Sequence, residues 1–332
     1  MKDSNLIEIR NLKISYITKR GIVSAVDNVS FSIKDEETLG LVGESGCGKT
    51  SIGNSLLKIL PKNSFVEGEI LFEGRNLIEL SERKMQKIRG LKISMIFQDP
   101  MTSLNPIMKL KDHFVETIQT HKPEISEEEA EKMAEKAFEA VGIEPSRLRD
   151  YPFQLSGGMR QRAMIALALV LNPKFVIADE PTTSLDVIVQ AQILELLKKL
   201  KERFKMSIML ITHDLGVVAE MADRIGVMYA GHLVEEGTSE DIYYNPKHPY
   251  TEALLKSIPN TKPGDKKLIY IPGNLPDLSN PPKGCRFFPR CSKVMEICRE
   301  KEPPVFDVEG SRVKCWLYKG AKIVEYERIN QG

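Results

Sequence analysis

The sequence predicts an α/β protein in which a mostly parallel sheet carries a phosphate-binding loop, and three observations point there. The first is the stretch Gly43-Glu44-Ser45-Gly46-Cys47-Gly48-Lys49-Thr50, which follows the apolar run Thr38–Val42 and precedes a helical pattern from Ser51 to Leu60. Strand, glycine loop and helix in that order give the G-x-x-x-x-G-K-[ST] pattern a physical meaning: loop N–H groups and a helix N-terminus converge on one anion. The second is Phe175-Val176-Ile177-Ala178, an apolar run of the kind buried on both faces of a parallel sheet, which ends on Asp179-Glu180. The third is the strand–helix alternation that continues from there to Tyr229, which calls for helices on both faces of a parallel sheet.

Taken in order, Ile7–Ile9, Leu12–Tyr16 and Val26–Phe31 alternate apolar and polar residues around a polar turn at Thr18–Gly21, the pattern of short strands in an antiparallel layer. After the loop, Gly68–Gly74 reads as a hairpin-like strand pair, and Ile93–Phe97 as a short strand ending at Gln98, where Asp99-Pro100 breaks it. From Ile107 to Val141 the pattern is helical, with a capping box at Ser126–Glu129 and Met133, Ala134, Ala137, Phe138 and Val141 on one face. Ser156 caps a further helix that opens on Gly157-Gly158 and runs to Leu171, with Pro173 beyond it. The alternation then gives helix Val189–Phe204, strand Ser207–Thr212 with His213 just past it, helix Leu215–Ala222, strand Ile225–Tyr229 and, after Ala230-Gly231, a strand over His232–Glu235. Beyond Pro249 come Pro259, Pro263, Pro272, Pro276, Pro281 and Pro282, which predict a boundary near residue 255 and an extension with little regular structure.

At 332 residues the chain has room for one large domain and something smaller. Lys and Arg number 47 against 46 Asp and Glu, so no global basic excess points to nucleic acid. Charge is uneven, with 15 basic and 9 acidic residues after position 255. No apolar run is long enough to span a bilayer, and the N-terminus has no signal-peptide core, so a cytoplasmic protein is expected. Five cysteines in such a chain do not make a disulfide scaffold.

The succession of the phosphate loop (43–50), Gln98, Leu155-Ser156-Gly157-Gly158, Phe175–Glu180, Ser184-Leu185-Asp186 and His213 resembles the ATP-binding subunit of an ABC transporter. The resemblance implies an ABC ATPase core over residues 1–255, with a parallel sheet and helices, an antiparallel β subdomain and a helical subdomain at about 99–172, followed by an irregular extension over 256–332. Three stretches are similar to the oligopeptide and dipeptide import subgroup: Phe97–Pro106, His248–Leu255 and Gly284–Cys291. Members of that subgroup also carry oligosaccharides or nickel. The expected partners are two membrane permease subunits, a second ATPase chain, identical or related, and indirectly an extracytoplasmic solute-binding protein, which places the chain peripherally on the cytoplasmic face of the membrane. A soluble ABC-type ATPase acting on nucleic acid or ribosomes would be expected to carry coiled-coil arms or a second cassette, and neither is present.

By the same resemblance the ATP site comprises Gly43, Ser45, Gly46, Cys47, Gly48, Lys49, Thr50, Ser51 and Asp186, with Tyr16 stacking on adenine, while Ser156, Gly157 and Gly158 complete the pocket of a partner ATPase. Thr50, Gln98 and Asp179 are expected to hold Mg²⁺, Glu180 to orient or deprotonate the attacking water, His213 to donate to the γ-phosphate, and Gln98 to touch both metal and water. Four cysteines, Cys285, Cys291, Cys298 and Cys315, gather in the extension. Their spacing lacks the short pairs usual in zinc modules and fails the common ferredoxin spacings, so spacing leaves zinc and iron–sulfur open. Similarity to dipeptide-import ATPases with C-terminal cysteine ligands implies a [4Fe–4S] cluster, with zinc second and four unligated thiols last.

Overall fold

In the computed structural model, residues 5–19, 21–183, 185–257 and 271–324 are described. In chain order the strands are β1 (Asn5–Thr18), β2 (Gly21–Lys34), β3 (Thr38–Val42), β4 (Ser64–Phe72), β5 (Arg75–Asn76), β6 (Ile93–Ile96), β7 (Phe175–Asp179), β8 (Ser207–Thr212), β9 (Arg224–Tyr229), β10 (His232–Thr238), β11 (Phe306–Val308), β12 (Ser311–Val313) and β13 (Lys322–Ile323). The chain divides into two compact units, one made of residues 1–34, 38–79 and 212–332, the other of 35–37 and 80–211.

In the first unit, β2, β1, β4 and β5 form an antiparallel sheet. The short strands expected near the N-terminus are two strands of 14 residues each, paired from Asn5↔Lys34 to Thr18↔Gly21. Register shifts between Ile9 and Leu12 and between Leu12 and Ile14 break the alternation that a sequence reading relies on, and Asn11 takes a left-handed φ of 48°. The buried face carries Ile7, Ile9, Leu12 and Ile14. A second sheet has the order β13-β11-β12-β10-β9-β3, in which β3 runs parallel to β9.

The C-terminal segment is thus less irregular than its prolines suggest. Its strand β12 pairs with β10 through Glu235↔Val313 and Glu236↔Arg312, extending the same sheet that carries the phosphate loop. Each of these strands has three residues or fewer, too short to show a period of two. Pro259 and Pro263 lie outside the described residues.

In the second unit, β8, β7 and β6 are parallel neighbours, in register as Phe175↔Ser207 and Ile93↔Phe175. All residues of β6, β7 and β8 are buried. The helical stretch is two helices, Leu110–His121 and Glu127–Ala140, interrupted at Pro123, whose missing N–H cannot continue the ladder. The second begins with the expected capping box: Ser126 accepts the Glu129 N–H and Glu129 reaches back to the Ser126 N–H. Phe114 and Phe138 meet edge to face, ring centroids 5.3 Å apart, and join the two helices.

Candidate functional site

The phosphate loop leaves the buried strand β3 and enters the helix Lys49–Leu56. At Gly43 (φ 149°) a Cβ would stand 2.1 Å from the Met228 carbonyl oxygen, and at Gly48 (φ 106°) 2.4 Å from that of Ala25. Only glycine meets both the sign of φ and the space. Gly48 is also the helix N-cap and brings no side chain to the first N–H groups, leaving them to an anion. The buried Lys49 ammonium donates to the carbonyl oxygens of Gly43 at 2.7 Å and Glu44 at 3.2 Å, and lies 3.7 Å from Cys47 Sγ. Burial pushes the Cys47 thiol pKa up, so this cysteine is a neutral packing group. The half-buried Tyr16 donates its hydroxyl to Ser51 Oγ at 2.9 Å, which ties β1 to the loop's helix. In the same unit His213 is exposed, and Asp214 beside it caps the helix Leu215–Met221.

In the second unit, β7 delivers Asp179, 3% exposed, and then Glu180. Glu180 has a left-handed φ of 45°, a conformation disfavoured for a residue with a Cβ. Its N–H donates to the Ile211 carbonyl at 2.8 Å, and its Oε2 accepts from Gln98 Nε2 at 3.1 Å and from the Thr183 hydroxyl at 2.7 Å. Gln98, placed at the end of a strand on sequence grounds, is thereby joined to Glu180, and Thr183 is a partner that no spacing rule singled out. Ser156 caps the helix Gly157–Leu169 by accepting the Met159 N–H at 3.3 Å. Asp186 caps the helix Val187–Phe204 through the Val189 N–H at 3.0 Å. Ser184 lies outside the described residues.

The four C-terminal cysteines converge in the first unit. Cys285 N–H donates to the Cys298 carbonyl at 2.9 Å. Burial, and then the neighbouring Cys285, Cys291 and Cys298 thiols, push Cys315 up to about 12. Burial likewise takes Cys285 to about 11. Cys291 Sγ accepts the Lys293 N–H at 3.4 Å, and Cys285 and Cys315 each have a backbone donor two residues on, at Phe287 and Leu317. Such N–H donors stabilise sulfur that carries negative charge, while the buried thiols resist ionising without a cation. Among the described residues no three of these thiols lie close enough together to hold a single metal ion. Thr50 and Asp179 are hard oxygen donors of the type Mg²⁺ takes.

Among phosphate-loop enzymes, a helix that opens on Leu-Ser-Gly-Gly and a strand that ends on a carboxylate pair separate one group from the rest. The fold and these residues define an ATPase of the ABC type. The ABC transporter family matches residues 26–183, and the family described as oligopeptide/dipeptide transporter, C-terminal region, matches residues 234–298. The oligopeptide transport ATP-binding protein OppD of Bacillus subtilis is 51% identical over 320 residues, covering 95% of this chain and 89% of that protein. The dipeptide transport ATP-binding protein DppD of Lactococcus lactis is 48% identical, with 96% and 92% covered. A solved dimeric ATP-binding cassette in a post-hydrolysis state, bound to ADP and Pi, superposes with a TM-score of 0.63 at 30% identity over 70% of this chain and 98% of its own. The chain belongs to the ABC transporter ATP-binding family, whose chemistry uses ATP and Mg²⁺.

Proposed function

We propose that this chain is the ATPase subunit that powers import of oligopeptides or dipeptides through two membrane permease subunits, paired with a second ATPase chain and served by an extracytoplasmic solute-binding protein. The observation that carries this reading is the match of residues 234–298 to the C-terminal region of oligopeptide/dipeptide transporters, supported by the two relatives described above. No helix among the described residues is long and apolar enough to cross a membrane. Attachment at the cytoplasmic face would come from the permease subunits. Exposed Ile107 (83%) and Phe153 (62%) in the second unit offer apolar surface for it.

In this reading the loop N–H groups and Lys49 bind the phosphates, Tyr16 faces the base, and Thr50, Asp179 and Gln98 hold Mg²⁺ directly or through water. Glu180 orients and deprotonates the attacking water and His213 donates to the γ-phosphate. Mg²⁺ supplies charge neutralisation on the phosphate oxygens. Ser156, Gly157 and Gly158 serve the nucleotide of the partner ATPase. The test is ATP hydrolysis by the chain assembled with its permease and binding-protein partners in vesicles. Stimulation by short peptides is expected, and a response to an oligosaccharide or to nickel alone would overturn the peptide assignment.

The four cysteines are proposed to hold a [4Fe–4S] cluster. Protein purified without oxygen should be brown and bleach with dithionite, and the colour should be lost in Cys291→Ser. Colourless protein with stoichiometric zinc would replace iron by zinc.

A further inference from the structure

Two C-terminal stretches that the ATPase chemistry does not use, His248–Leu255 and Gly284–Cys291, meet on one residue of the phosphate loop. Tyr250 Oη accepts the Glu44 N–H at 3.1 Å, and Arg290 Nη1 donates to the Glu44 carboxylate at 2.9 Å. Neither arm is loose. Tyr250 is fully buried against Tyr229 and Phe287, with ring centroids at 4.6 and 5.4 Å. The Arg290 side chain is 6% exposed, donates to the carbonyl oxygens of Pro272 at 2.8 Å and Ile271 at 3.3 Å, and lies over the Tyr229 ring at 5.7 Å. Cys291 follows Arg290 directly. Lys293, whose N–H donates to Cys291 Sγ, reaches Glu252 on the helix that carries Tyr250, at 2.7 Å.

We propose that Arg290 and Tyr250 are positioning residues that clamp Glu44, and that the cysteine-bearing segment sets the phosphate loop's affinity for ATP through them. The proposal rests on the reading of residues 43–50 as the ATP loop. Two physical effects act together. A loop with left-handed φ values at Gly43, Gly46 and Gly48 has many alternatives when released, and a binding-competent fraction below one weakens the apparent affinity by that fraction. Arg290 also neutralises a carboxylate in the loop that receives a polyphosphate, and an unpaired Glu44 would repel it. The loop is thus held at Glu44 by side chains remote in sequence.

The test is equilibrium binding of a fluorescent Mg-ATP analogue to the full chain carrying Glu180→Gln, with thermal unfolding to confirm folding. Arg290→Met should weaken binding about tenfold, on the scale of a lost hydrogen bond to a charged group. Arg290→Lys should recover part of it, and Glu44→Gln or Tyr250→Phe should each cost about threefold. Adding Arg290→Met to Glu44→Gln should cost less than Arg290→Met costs in the parental chain, because the charge pairing and the carboxylate that would repel phosphate are already gone. In the hydrolysing chain the KM for ATP should rise with kcat nearly unchanged. Cys291→Ser should weaken binding in the parental chain and not in Arg290→Met, and equal weakening in both would overturn the route through Arg290. Parental affinity in Arg290→Met and Glu44→Gln, with binding lost in Lys49→Ala, would overturn the clamp while keeping the loop. Full binding by Lys49→Ala would instead overturn the loop reading. Should Arg290→Met fail to fold, Glu44→Gln and Tyr250→Phe decide, since both leave the Arg290 side chain in place.

Discussion

Thr183 donates its hydroxyl to Glu180 Oε2 at 2.7 Å, three residues along the turn that follows β7, and Gln98 Nε2 donates to the same oxygen at 3.1 Å. The carboxylate is oriented by its own turn and by the end of the neighbouring strand β6. Its strained backbone adds a second constraint, since φ at Glu180 is 45°. Orientation of this kind is what hydrolysis asks of a water-positioning group.

Glu180→Gln is expected to keep Mg-ATP binding and lose turnover by about 100-fold or more, because the amide retains size and hydrogen bonding but cannot accept the proton. Steady-state hydrolysis with the partner subunits present is the measurement. Near-normal turnover would remove Glu180 from the base role.

Thr183→Ala should lower kcat by about tenfold, the range for losing a hydrogen bond to a charged group, and leave the KM for ATP within about twofold. Thr183→Ser, which restores the hydroxyl, should recover most of the rate. Equal activity in the alanine variant would show that Gln98 alone suffices.

ATP should bring two ATPase subunits together. The start of the helix Gly157–Leu169 offers N–H groups and the exposed Ser156, and Val187 and Ile188 are 80% and 73% exposed at the start of the helix that Asp186 caps. Sedimentation of Glu180→Gln with Mg-ATP should show the larger species and ADP should not. An unchanged mass in both would count against a nucleotide-bridged pair.

Acid should destabilise the first unit at a higher pH than carboxylate titration alone would cause. Burial, reinforced by the Lys314 ammonium and only partly offset by the Asp27 and Glu302 carboxylates 3.6 Å from its Nε2, holds the His232 pKa down at about 4, and burial holds His248 at about 3. An unfolded imidazole titrates near about 6.5, so between that value and the folded pKa the unfolded chain binds more protons and stability is lost as pH falls. At pH 5.5 each imidazole should cost about 1 kcal/mol relative to pH 7.5. Denaturant unfolding at the two pH values measures the difference, and His232→Gln should remove its share of it. Identical stability at both pH values would refute burial in the neutral form.

The elements that carry the nucleotide motifs were legible from the chain because they are local. The loop 43–50, the Ser156 cap and the β7 carboxylates each need only contiguous residues whose order is also their geometry. The same locality explains the successes at Ser126 and β8 and the errors at their neighbours: bulges hid the length of β1, and a helical pattern ran through Pro123 unnoticed. Tertiary structure alone decided what holds the loop. Arg290 and Tyr250 are 246 and 206 positions from Glu44, and no period or propensity encodes a partner at that range. Nor could three-residue strands announce themselves, since β12 exists through its pairing with Glu235 and Glu236 on β10. A motif records the groups that chemistry requires side by side, whereas a clamp built from distant side chains exists only once backbone pairing and burial have brought them together.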